Sequence, residues 1–113
     1  MYTLYGIKNC DTVKKARKWL DENTIAYQFH DFRSDGLNTK LLTTLEASLG
    51  WENMLNRRSA SWRQLDDQQK DNLSSAKAIL LMQETPTLIK RPVLDTGEKI
   101  LIGFNLDDYQ KLQ

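Results

Sequence analysis

The atom in this sequence best suited to start a reaction is the sulfur of Cys10, the only cysteine among 113 residues. It follows Tyr2-Thr3-Leu4-Tyr5-Gly6-Ile7-Lys8-Asn9 and precedes Asp11-Thr12, a short strand broken at glycine that runs into a helix start. A helix N-terminus leaves backbone N–H groups without intrahelical partners and favours an anion. The anion here would be a thiolate, the nucleophilic form of cysteine. A free thiol titrates at about 8.5, so neutral solution holds only a few per cent of it ionised. The helix terminus, with Lys8, Lys14 or an arginine folded back from elsewhere, would lower that value. Asp11 works against ionisation unless its carboxylate caps the helix. On residue chemistry alone, Cys10 reads equally well as a small buried hydrophobe.

Composition limits what else the chain can do. With 40% hydrophobic and 27% charged residues, it is expected to form a single domain around one core. Sixteen basic and fifteen acidic residues give a net charge of +1, too weak a field to argue for nucleic acid or an anionic membrane. The first residues lack a basic and apolar leader pattern, and no apolar run approaches membrane-spanning length. The expectation is a soluble cytoplasmic monomer. One cysteine makes no internal disulfide, and a single His30 with no cysteine cluster makes no metal site. His30 reads as a strand residue rather than a general base, and Trp19, Trp51 and Trp62 read as packing residues.

The elements that must carry Cys10 can be placed by periodicity. Met1 to Tyr5 reads as a strand and Gly6 to Asn9 as a tight loop. Val13, Ala16, Trp19 and Leu20 then recur at spacings of three and four, which predicts an amphipathic helix capped by Asp11 or Thr12 and closed at Asn23. Ile25 to Phe32 alternates as a strand, completing a βαβ unit whose crossover makes the strands parallel. After the Ser34-Asp35-Gly36 turn, Asn38 caps a helix ending at Gly50. Short helical pieces follow at 51–55, 61–65 and 66–73, and Ser74 or Ser75 opens a helix that stops before Thr85-Pro86. Val93-Leu94 and Ile100-Leu101-Ile102, joined by Asp95-Thr96-Gly97-Glu98, predict an antiparallel hairpin. Asn105 caps a terminal helix with Leu106, Tyr109 and Leu112. The predicted order is β-α-β, helices, β-β-α. Residues 1–35 and 86–113 make an α/β core, and 36–85 a helical segment packed on it or inserted into it.

Three runs carry a family likeness. They are Leu4-Tyr5-Gly6-Ile7-Lys8-Asn9-Cys10-Asp11-Thr12, then Leu55-Asn56-Arg57-Arg58 with Trp62-Arg63-Gln64-Leu65, and Ile89-Lys90-Arg91-Pro92-Val93-Leu94 with Leu101-Ile102-Gly103-Phe104. In this order, over nearly the whole chain, they resemble the arsenate-reductase-like ArsC/Spx family, and within it the YffB branch of small bacterial proteins. The resemblance implies a thioredoxin-like α/β fold, with a mixed four-stranded sheet and a helical segment inserted between its halves.

It also implies roles for residues. Cys10 would be the nucleophile, with Thr12 able to hydrogen-bond the thiolate. Arg91 matches one of three arginines that hold the oxyanion in the family's arsenate reductases, a task suited to bidentate guanidinium geometry. Arg57 or Arg58 matches the second. The third would lie near Phe104, yet no arginine follows Arg91, which argues against arsenate reduction as the main activity. Pro92 would be cis and close to the thiol. Lys8 and Asn9 complete the expected substrate-binding set with Arg57, Arg58 and Pro92.

A lone cysteine leaves a mixed disulfide with no internal partner to resolve it, so an external thiol must do so. Glutathione is the expected co-substrate, with no tightly bound cofactor. Its carboxylates suit Arg91, Arg57 or Arg58, and Lys8, while the backbone at Lys90-Arg91-Pro92-Val93 suits strand-like pairing with a bound thiol peptide. The alternative reading is an Spx-like regulator binding the RNA polymerase alpha subunit. The Cys-x-x-Cys switch of typical Spx proteins is absent, because Val13 stands in its fourth position.

Overall fold

In the computed structural model, which describes residues 1–112, strand β1 (Tyr2–Gly6) is an interior strand of the sheet. The sheet order is β2-β1-β3-β4, with β2 at Tyr27–Asp31, β3 at Val93–Asp95 and β4 at Ile100–Ile102. β1 pairs in parallel with β2 and antiparallel with β3, and β3 pairs antiparallel with β4. Register sets Phe29 beside Leu4, Leu4 beside Leu94 and Leu94 beside Leu101, so one apolar row crosses all four strands. Because strand side chains alternate, that row faces one way, and helices cover it.

Helix α1 (Asp11–Glu22) supplies Ala16 and Leu20 to this core, and α7 (Leu106–Gln110) supplies Tyr109. Val13, Ala16 and Leu20 are fully buried at the spacing of a single helix face. The helix approaches β1 so closely that a Cβ on Gly6 would stand 2.7 Å from a Val13 methyl. Gly6 is thus required by proximity. Asn23 is the C-cap, as its position past Asp21-Glu22 predicts.

Two compact units divide the chain. The first holds Met1–Asp35 and the chain from Arg91 onward, with the whole sheet; the second is Gly36–Lys90. Within the second unit, α2 (Thr39–Leu49) opens on an Asn38 cap, whose side chain accepts from Leu41 N–H, and ends at Gly50. α3 (Trp51–Met54), α4 (Ala60–Gln64) and α5 (Asp67–Lys70) are single turns, and α6 (Ser75–Glu84) packs on α2. Ser59, Asp66 and Ser74 cap α4, α5 and α6 through their side chains.

Several boundaries differ from the sequence reading, each for a local reason. β2 begins at Tyr27 rather than Ile25, because Thr24 takes a left-handed φ of 58° and Ile25 N–H is drawn to Leu20 C=O. α5 stops at Lys70 rather than Leu73, and Asn72 turns left-handed with φ 50°. Residues 86–90 group with the helical unit rather than with the sheet. There Pro86–Leu88 is a 3-10 turn, Leu55 bridges Ile89, and Lys90 N–H reaches Met54 C=O. No helix among the described residues is long and apolar enough to cross a membrane.

Candidate active site

The Cys10 site is assembled from the ends of two segments of the first unit. β1 ends at Gly6, and Ile7-Lys8-Asn9-Cys10 closes a turn through Cys10 N–H to Ile7 C=O at 3.2 Å. Lys14 N–H then bonds Cys10 C=O at 3.0 Å, the first bond of α1. Cys10 itself is therefore the N-cap, in extended conformation, and neither Asp11 nor Thr12 is. The turn fixes this, because it delivers the chain to the helix one residue earlier than a capping carboxylate would need. Asp11 instead occupies the first helical position, exposed, where a negative charge suits the helix dipole.

The second segment is Arg91-Pro92, a cis peptide leading into β3, with Pro92 buried and its C=O accepting from Gly103 N–H at 2.8 Å. Thr12 joins the two segments. Its hydroxyl oxygen lies 3.1 Å from the Cys10 sulfur and 3.2 Å from Arg91 C=O. One hydroxyl carries one proton, so it can donate to the carbonyl while the sulfur is a thiol, or to the sulfur once it is a thiolate.

Electrostatically the half-buried sulfur is poised toward ionisation. Desolvation pushes the Cys10 thiol up, but the Thr12 hydroxyl, the Val13 amide and the Arg91 guanidinium together hold it below its ordinary value. The Val13 contribution is a directed N–H dipole, since no side-chain cap bond of ordinary geometry forms. A lowered thiol on a partly accessible sulfur is the condition for attack on an electrophilic sulfur or an oxyanion.

The other predicted site residues fall as follows. Lys8 and Asn9 are exposed in the cysteine turn, and Lys8 contributes its backbone N–H to the Asp31 carboxylate at 3.0 Å. Arg57 and Arg58 belong to the second unit and are exposed. The Arg57 guanidinium lies 5.6 Å over the Trp62 ring, while Arg58 N–H bonds the Asn56 side chain and Arg58 C=O accepts from Arg63. Trp62 also carries Lys70 at 5.4 Å, so the indole has cations near it from two residues. His30 packs its ring against Tyr5 and Phe32. No group of three or more metal-ligating side chains occurs among the described residues.

The sequence reading missed Asp31, which it placed only as one member of an alternating strand. Asp31 is buried, and its carboxylate accepts from Lys8, Arg33 and Ser34 N–H. Burial pushes that carboxyl up, yet the three amides and the Arg33 charge hold it below the usual carboxylate range. The available signal was an aspartate closing a strand just before Arg33-Ser34-Asp35-Gly36, the composition of an Asx turn.

Comparison with known proteins agrees with this architecture. A family model described as the ArsC family matches residues 5–112. The structure of the protein YffB superposes with a TM-score of 0.94 at 50% identity, covering 98% of this chain and 97% of that one. An arsenate reductase related protein from Brucella melitensis superposes with a TM-score of 0.80 at 41% identity, over 97% of this chain and 92% of its own. The global transcriptional regulator Spx of Streptococcus mutans is 31% identical over 96% of this chain and 80% of that protein. With a family match that runs from β1 through α7, and the thioredoxin-like mixed sheet that its structural neighbours share, the chain belongs to the ArsC family.

Proposed function

We propose that this protein is a thiol-dependent reductase in which Cys10 is the nucleophile and glutathione the resolving thiol. The observation that carries the reading is the half-buried Cys10 sulfur at the start of α1, 3.1 Å from the Thr12 hydroxyl, where that hydroxyl, the Val13 amide and the Arg91 guanidinium favour the thiolate. In the first step the Cys10 thiolate attacks the glutathionyl sulfur of a mixed disulfide. The Cys10–S–S–glutathione bond forms as the substrate's sulfur leaves as a thiolate. A second glutathione thiolate then attacks the same glutathionyl sulfur, releasing glutathione disulfide and returning Cys10 as thiolate. The proton lost by that glutathione goes to the substrate thiolate, so the net reaction turns the substrate's glutathionyl disulfide and one glutathione into the substrate thiol and glutathione disulfide.

Within this scheme Arg91 holds an anionic group beside the sulfur. Thr12 donates to the thiolate, and Lys8, Asn9 and Pro92 bind substrate; Arg57 and Arg58, on the second unit, are further candidates for its carboxylates. Val13, where a resolving cysteine would stand in an internal switch, is fully buried in the core and offers no redox group. Arsenate reduction is a weaker candidate, because no arginine follows Arg91 to complete a three-arginine oxyanion site. The test is mass spectrometry after mild oxidation with glutathione. The unmodified chain gains one glutathionyl group and Cys10→Ser gains none; an unmodified chain that stays unadducted ends the proposal.

A second reading is favoured by the likeness to Spx across 96% of the chain. Under it the same fold serves as a module that binds the RNA polymerase alpha subunit, without the internal redox switch. Retention of purified alpha subunit on immobilised protein, undiminished in Cys10→Ser, is the result this reading requires.

A further inference from the structure

Asp31 is the only buried charged residue of the described core, with 7% of its surface exposed, and no step of the proposed chemistry uses it. Its two oxygens serve different ends. Oδ1 accepts from Arg33 N–H at 2.7 Å and Ser34 N–H at 3.2 Å, two and three residues on, which is an ordinary Asx turn. That turn is further closed by Asp31 N–H to the Asp35 carboxylate and by Asp35 N–H to Asp31 C=O, both at 2.8 Å. A turn of this kind needs one oxygen. Oδ2 instead accepts from Lys8 N–H at 3.0 Å, across 23 residues of sequence.

Lys8 is the second residue of the Ile7–Cys10 turn that sets Cys10 at the start of α1. Beside it, Phe32 N–H bonds Gly6 C=O at 2.9 Å, carrying the β1–β2 ladder past its last strand residue. The chain is therefore tied to the end of β2 by a backbone bond at Gly6, just before the cysteine turn, and by a charge-assisted bond at Lys8 within it. Charge-assisted bonds are the stronger kind, and a buried carboxylate holding three amides has little freedom to move.

We infer that Asp31 is the positioning residue of the Cys10 turn: by holding Lys8 N–H it fixes the turn that aims the cysteine sulfur at the α1 amides and at Thr12. The inference rests on the proposed role of Cys10 as nucleophile, and it concerns a residue that touches neither the sulfur nor a substrate.

Asp31→Asn separates this role from the Asx turn. The amide keeps one oxygen for Arg33 and Ser34 N–H, and turns its NH2 toward Lys8 N–H, donor against donor. Turn and fold are retained while the tie to Lys8 is lost. The sign of the effect on the thiol is diagnostic. If Asp31 acted on Cys10 as a charge, removing that charge would lower the thiol pKa. If it acts by positioning, the sulfur drifts from its amide and hydroxyl partners and the pKa rises.

The experiment follows Cys10 alkylation against pH, together with hydrogen exchange of the Lys8 amide by NMR, in the unmodified chain and in Asp31→Asn. The expected result in the variant is loss of Lys8 protection and a thiol midpoint raised by about one unit, roughly tenfold less thiolate near neutrality. A lowered midpoint in the unmodified chain that Asp31→Asn leaves unchanged or lowers further overturns the inference alone. A midpoint at or above the free-thiol value in the unmodified chain sinks the reductase reading and the inference with it. Should Asp31→Asn fail to fold, titration of the unmodified chain still judges the tie. The Lys8, Arg33 and Ser34 amide resonances must then follow the Asp31 carboxyl signal with one midpoint, below the ordinary carboxylate range despite Asp35 nearby. A Lys8 amide that does not follow it overturns the inference.

Discussion

Cys10 owes its character to three neighbours that differ in kind: a hydroxyl, a backbone amide and a guanidinium. The hydroxyl also bonds Arg91 C=O at 3.2 Å, so its removal loosens that tie as well as the contact to sulfur. Thr12→Val deletes the group 3.1 Å from the sulfur while keeping a β-branched shape, and is expected to raise the thiol midpoint by up to about one unit. Thr12→Ser should retain the lowered value, and a pH profile of alkylation for both variants checks the pair. Tyr109 shows the opposite case, a polar atom that earns nothing. It is fully buried against Trp19 and Phe104, and its hydroxyl has no hydrogen-bond partner among the described residues. Burial also pushes its pKa far up. Tyr109→Phe is therefore expected to leave stability unchanged or raise it by about 1 kcal/mol, since an unsatisfied buried hydroxyl costs about that much. Urea denaturation that shows a clear loss would mean the hydroxyl has a partner.

At the scale of elements, the approach of α1 to β1 governs where the sulfur sits. Gly6 is a point of close approach, and a methyl there meets a Val13 side chain that is stiff at χ1 and fully buried. Gly6→Ala should destabilise by about 1–3 kcal/mol, as overpacking does. It should also lower Cys10 reactivity, because α1 must move away from the strand that carries the turn. Equal stability and equal alkylation rates in the variant would show that the contact relaxes without displacing the helix.

For the whole molecule, the pH dependence of stability carries the mark of Asp31. Its carboxyl is held below the usual range, so the stability it contributes is fully present above the unfolded value of about 3.9 and is lost as pH falls through the lower folded value. Urea midpoints measured downward from about pH 4 should fall in the unmodified chain, with a flatter slope in Asp31→Asn. Parallel slopes would assign acid sensitivity to other carboxylates. The second unit has its own polar ties, such as Ser75 Oγ to Glu46 at 2.6 Å and Thr39 Oγ1 to Gln83 at 2.9 Å. Its short helices rely on side-chain caps at Ser59, Asp66 and Ser74.

Much of this was legible from local chemistry. Val13, Ala16 and Leu20 declared the buried face of α1, and Asn38 and Asn105 declared caps that accept their expected amides. Asp95-Thr96-Gly97-Glu98 declared the hairpin, with Gly97 at φ 91°. Periodicity, capping and turn signals act over a few residues, and so can be read from a linear string. Cys10 at a helix start was visible for the same reason. What the string leaves open is anything made by residues far apart along it. The separations of 79 positions from Thr12 to Arg91 and of 23 from Lys8 to Asp31 are closed only by the sheet. Even the cap lies one or two residues before Asp11 or Thr12, because the Ile7–Cys10 turn, not the intrinsic preference of either, selects where α1 begins. The sequence alone therefore determined that a single thiol stands at a helix start in an α/β chain. Tertiary structure decided which groups surround that thiol and which carboxylate holds its turn, because those contacts depend on the register of β1 against β2 and β3.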